Sequence, residues 1–119
     1  MRKELILTFA LIAGLGIANL SMAADGAKGS AGRTIAFDKA KGNCLACHKI
    51  PNDSGAESPG NIGPSLVNMK EHYSDRNKLR AKIWDATATK PQTLMPPFGK
   101  HQILTEQEID QVVDYIQGL

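Results

Sequence analysis

The chain's only two cysteines, Cys44 and Cys47, stand three residues apart, and His48 follows the second directly in the run Gly42-Asn43-Cys44-Leu45-Ala46-Cys47-His48. Such a trio can cycle as a redox disulfide, supply part of a metal site, or carry a group covalently. On a helix, positions i, i+3 and i+4 share one face, which would set both sulfurs and the imidazole side by side. A redox pair of thioredoxin type belongs near a βαβ unit, and no strand pattern is visible here. A closed zinc site needs four ligands, and the other histidines, His72 and His101, are all that remain to complete one. Cys-x-x-Cys-His is also the attachment signature of c-type haem, with two thiols for thioether bonds and an imidazole for the iron. This third reading meets the least resistance, and it implies one covalently bound haem c.

A haem iron in an electron carrier normally takes a second axial ligand. The candidates are Met69, Met95, His72 and His101. Met95 lies in Thr93-Leu94-Met95-Pro96-Pro97-Phe98-Gly99, where two prolines restrict the backbone and leave the thioether little entropy to lose. A neutral, soft thioether favours ferrous iron and raises the potential. Met69 reads as ordinary packing, and His72 and His101, among polar neighbours, read as surface residues. An imidazole bound to metal usually donates its other N–H to a carbonyl, and Pro64 in Asn61-Ile62-Gly63-Pro64 is the expected partner of His48 Nδ1, with Gly63 permitting close approach. Leu66, Ile83, Leu94 and Phe98 are expected to pack around the porphyrin. Trp84 either packs there or donates its N–H to a propionate.

The elements that must position these residues read as all-α. Arg2 and Lys3 precede an apolar run from Leu5 to Leu20, then Ser21-Met22-Ala23. That order is a secretory signal peptide, residues 1–23, cleaved after Ala23, and it places the protein in the periplasm with no membrane attachment afterwards. Residues 24–33, rich in glycine and small side chains, read as a flexible leader, and 34–119 as the folded domain. Thr34 is the expected N-cap of a first helix running into the cysteine motif. Residues 50–66 are dense in Pro, Gly, Asn, Asp and Ser, and read as loop. A second helix is expected after Ser74 as cap, with Leu79, Ile83 and Ala86 inward and Pro91 as its stop. The last helix is the clearest: Thr105 and Glu108 form a capping box before the Ile109, Val112, Val113, Ile116 stripe. Aromatic residues make up only 5% of the 119-residue chain, so a haem would supply apolar interior that side chains do not. The net charge of +2 is scattered, which gives nucleic-acid binding little support.

With the cysteine motif, the Gly60-to-Leu66 loop and the Met95 loop in this order, the chain resembles class I cytochromes c. It is more closely similar to SoxX, the monohaem subunit of the SoxAX sulfur-oxidation cytochrome. The likeness rests on FDKAKGNCLACHKIP, GNIGPSL, LRAKIWDAT, TLMPPFGKHQILTEQEID and VVDYI, from about Phe37 to the C-terminus. The resemblance implies three or more helices around one haem, with Cys44 and Cys47 attaching it and His48 and Met95 as axial ligands. It also implies a SoxA-type monohaem or dihaem partner. The complex, an L-cysteine S-thiosulfotransferase, oxidatively joins thiosulfate to a cysteine of the SoxYZ carrier, and a soluble cytochrome takes the electrons. The residues alone leave open a second reading, a free-standing diffusible class I cytochrome c. Whether the chain acts as an enzyme apart from its partner does not follow from either.

Overall fold

A computed structural model describes residues 20–119, with side chains from Gly29 onward. Of the expected signal peptide, residues 1–19 lie outside the described residues, and residues 20–23 fall in the first helix. No helix among the described residues is long and apolar enough to cross a membrane. Among the described residues four α-helices follow in order, α1 (Leu20–Phe37), α2 (Met69–His72), α3 (Arg76–Trp84) and α4 (Glu106–Gln117), with 3-10 turns at Cys44–Ala46 and Ala86–Ala88. No strand occurs among the described residues.

Helix α4 forms as its pattern predicts. Thr105 Oγ1 accepts from Glu108 N–H, and Glu108 reaches back to the Thr105 N–H at 3.0 Å. Ile109, Val112, Val113 and Ile116 are all buried, and they face α1 and α3, which both pack on α4. Full burial of one such side chain contributes about 1.5–3 kcal/mol.

Helix α1 departs from expectation. It runs unbroken through residues 24–33, so this segment is helical rather than coil, and Thr34 is interior, its hydroxyl donating to Ser30 O at 3.1 Å. The physical reason lies in Gly32. A Cβ there would lie 2.6 Å from Gln111 C and 2.9 Å from Tyr115 Cβ, so the glycine marks a close helix crossing. The helix ends at Phe37 because Asp38 redirects the chain: its side chain accepts from Ala40 N–H, and its carbonyl takes the Lys41 and Asn43 N–H groups. The first helix therefore stops before the cysteine motif.

Helix α3 is capped by Asp75, whose side chain accepts from Asn77 N–H at 2.9 Å, rather than by Ser74. It stops at Trp84, well before Pro91, because Asp85 turns extended and caps the following 3-10 turn. Leu79, Ile83 and Ala86 are buried as expected. The four-residue α2 escaped the sequence reading, and Met69 within it is buried in the core. Arg76 and Arg80 tie α3 to α4 through Asp114, Asp110 and Glu106.

The loop after the cysteine motif is anchored by Asp53. Arg33 donates to both of its oxygens, at 2.6 and 2.9 Å, and Tyr115 Oη donates at 2.7 Å. One carboxylate thus joins α1, the loop and α4. The Arg33 guanidinium holds the Asp53 carboxyl well below the usual carboxylate range, helped by Tyr115. The stability this provides is present above the unfolded-state value, near about 4, and is lost as pH falls below it. Asp53→Asn should therefore melt lower than wild type at neutral pH, and the gap should close as pH drops from about 4 downward. Melting curves of both proteins across that range check this, and a gap that persists at low pH would contradict it.

Candidate functional site

The cysteine motif occupies one tight turn. Asn43 enters it in the left-handed region (φ 46°), and the Cys44 carbonyl accepts from Cys47 N–H at 3.2 Å and His48 N–H at 2.9 Å. The i to i+4 relation between Cys44 and His48 survives in this single turn, without the helix that the spacing suggested. The following loop then runs alongside. Gly60 N–H bonds Leu45 O, Gly63 N–H bonds Cys47 O, and Leu66 N–H bonds Lys49 O, each at 2.8 Å. These three bonds carry Pro64 to the imidazole, and His48 Nδ1 lies 2.7 Å from Pro64 O.

A carbonyl oxygen only accepts, so Nδ1 carries a proton, and the nitrogen left to bind a metal is Nε2. Gly63 completes the cradle: a Cβ at this position would stand 2.5 Å from His48 Cε1 and 2.7 Å from Nδ1. Gly63→Ala should push the ring off Pro64 and destabilise the fold by about 1–3 kcal/mol. Thermal melting and the proton resonance of the His48 Nδ1–H test this together, and an unshifted resonance would mean the ring has not moved.

Burial pushes the Cys44 thiol up to about 11. Redox-active Cys-x-x-Cys pairs need the opposite shift, toward a reactive thiolate, and the helical fold offers no βαβ unit. Among the described residues no group of three or more His, Cys, Asp or Glu side chains could hold a metal ion, which removes the closed zinc site. The donor set that remains is an oriented imidazole nitrogen, two thiols and a thioether, and it fits haem c.

Met95 is half-buried against the core, and its N–H bonds Thr93 Oγ1 at 3.2 Å. Leu66, Ile83 and Phe98 are buried in the same cluster that Cys44 and Met95 pack against. Leu94, expected to pack inward, is instead 78% exposed, and Ile62 beside Gly63 is 65% exposed. His72 and His101 are exposed, as their polar neighbours suggested. Trp84 is set against the Met95 loop: its carbonyl accepts from Gly99 N–H at 3.0 Å and Lys100 N–H at 3.2 Å. The sequence reading found neither this contact nor the Arg33–Asp53–Tyr115 anchor, since both join residues far apart in the chain. Only the Cys-x-x-Cys-His spacing and the proline loops signal the site locally.

An uncharacterized lipoprotein of Aquifex aeolicus (strain VF5) is 37% identical over 76 residues, covering 64% of this chain. The match spans 36% of that protein's length. The crystal structure of SoxXA from P. pantotrophus superposes with a TM-score of 0.67 at 29% identity, covering 74% of this chain and 78% of that one. Residues 27–116 match the sequence profile of a cytochrome family described as cytochrome c oxidase, cbb3-type, subunit III. With its all-α class I cytochrome c fold and its likeness to SoxX, the chain belongs to that family of c-type cytochromes.

Proposed function

We propose that the chain carries one haem c, attached by thioethers from Cys44 and Cys47, with His48 Nε2 and Met95 Sδ as axial ligands. The observation that carries this reading is the His48–Pro64 bond at 2.7 Å, which leaves Nε2 as the free donor directly after the cysteine pair. When bound, the haem supplies one-electron redox chemistry. The chain's residues supply the rest. Pro64 O orients the imidazole and raises its basicity. Met95, as a neutral soft ligand, favours the ferrous state and a high potential. Leu66 and Phe98 provide apolar wall.

The fuller reading is an exported, periplasmic electron-transfer subunit of a SoxAX-type complex, its export driven by the signal peptide of residues 1–23. The chain pairs with a SoxA-type haem subunit and accepts electrons released as thiosulfate is joined to a SoxYZ cysteine. It passes them to a soluble cytochrome. The similarity to SoxXA supports this. So does the cysteine count: with Cys44 and Cys47 both in thioethers, no thiol remains on this chain to hold sulfur, and the sulfur chemistry falls to the partner. The matched family profile is described for a different assembly and does not itself name the Sox complex; the second reading is a free-standing diffusible class I carrier. Purification from the periplasm of the native host with haem staining separates the two. A persistent larger haem-bearing partner is expected. A lone red monomer would leave the carrier and remove the Sox assignment, and a colourless protein would remove both.

A further inference from the structure

The Met95 loop is held at both ends by the same short piece of chain, Trp84 to Ala86, at the end of α3 and the start of the 3-10 turn. On its far side, the Trp84 carbonyl accepts from Gly99 and Lys100 N–H groups, and Lys100 Nζ bonds Asp85 Oδ2 at 3.0 Å. A helix leaves its last carbonyls without intrahelical partners, and here the loop uses one of them as its anchor. On its near side, Lys90 N–H bonds Ala86 O at 3.1 Å, Thr93 N–H bonds Lys90 O at 3.0 Å, and Met95 N–H bonds Thr93 Oγ1 at 3.2 Å.

The indole sets the distance between loop and helix. A Cβ on buried Gly99 would lie 2.7 Å from Trp84 Cζ3 and closer still to Cδ2 and Cε3, so the Gly99 backbone rests directly on the ring. Arg80 lies over the ring, 5.4 Å from its centroid, and is fixed to Asp110 at 2.7 Å. Between Gly99 and Met95 stand Pro96, Pro97 and Phe98. Both prolines have fixed φ, and buried Phe98 receives the Ile103 and Leu104 N–H groups on its carbonyl. Few soft dihedrals remain to absorb a shift of Gly99 before it reaches Met95.

We propose that Trp84 is a positioning residue for Met95: its ring and carbonyl set where the thioether stands, and so how firmly it holds the iron. This deepens the proposed function and rests on the reading of Met95 as an axial ligand.

The test uses haem-loaded wild type, Trp84→Ala, Trp84→Phe, Gly99→Ala and Met95→Ala. It records the red absorption band of the ferric thioether–iron bond, the reduction potential and the affinity for free imidazole, with circular dichroism as the control for folding. Imidazole binds only where the thioether is off, so its apparent affinity reports the open fraction. Trp84→Ala and Gly99→Ala are expected to bind imidazole about tenfold more tightly, with a weakened band and a lower potential. Trp84→Phe should restore most of each. Band, potential and imidazole affinity all unchanged in folded Trp84→Ala and Gly99→Ala, while Met95→Ala changes them, would overturn the role of Trp84 alone. If Met95→Ala also changes nothing, the axial assignment of Met95 itself fails.

Discussion

Met95→Ala should lower the reduction potential by about 0.1 V or more, a fraction of the roughly 0.8 V that axial-ligand choice spans. The thioether is the softest donor offered by the Met95 loop, and removing it takes away the preference for ferrous iron. Its setting makes the loss hard to repair. Met95 is followed by two prolines, and its own N–H is tied to Thr93, so no neighbouring donor can swing into its place without breaking the loop. External ligands such as imidazole or carbon monoxide should then bind, and the red band of the ferric thioether bond should disappear. Met69→Ala is the matching control. Met69 is 6% exposed within the core, so its truncation should cost about 2–5 kcal/mol of stability with band and potential intact. The reverse pattern, a silent Met95→Ala and a spectrally altered Met69→Ala, would transfer the ligand role to Met69.

Gly32→Ala should destabilise the protein by about 2 kcal/mol, while Gly29→Ala, one turn earlier in the same helix, should stabilise it by about 0.5–1 kcal/mol. Alanine gains up to about 1 kcal/mol over glycine in a helix interior wherever it fits. At Gly29 nothing lies within 4 Å of the added carbon, and only that gain remains. At Gly32 the carbon overlaps the Gln111 carbonyl and stands 2.9 Å from Tyr115 Cβ. Backbone on an opposing helix cannot step aside as a side-chain tip can, and such overpacking costs about 3 kcal/mol. In a domain of this size the Gly32 loss corresponds to a fall of roughly 8–16 °C in Tm. Differential scanning calorimetry of the two variants decides the matter. Changes of the same sign would mean that α1 does not cross α4 at Gly32.

These two glycines show where sequence reading stops. Glycine supplies chain freedom in one setting and close approach in another, and composition alone does not distinguish them. Residues 24–33 therefore read as flexible leader although the structure makes them helix. Helix α4 was legible to the residue because a capping box and an apolar stripe are local signals. Asp75 takes the cap in place of Ser74, one position earlier, because its side chain holds the Asn77 N–H. At the site, Pro64 was found because a prolyl carbonyl beside a glycine has a local signature, and the structure brings that carbonyl within 2.7 Å of His48. Trp84 remained undecided between two roles because its partners, Gly99 and Lys100, meet it only through tertiary structure.

The crossing of α1 with α4 brings together the first and last helices described here, and this bears on the order of events in maturation. Contacts so distant in sequence form late, after the intervening chain has been released and its loops closed. Cys44 is partly buried against the core that these helices share, so until the core closes its thiol is the more open to reaction. In the closed fold the same thiol is raised to about 11 and is a poor nucleophile at neutral pH. On the proposed attachment, the thioethers therefore form most readily before the end helices meet. A chain that folded first would present a less reactive thiol.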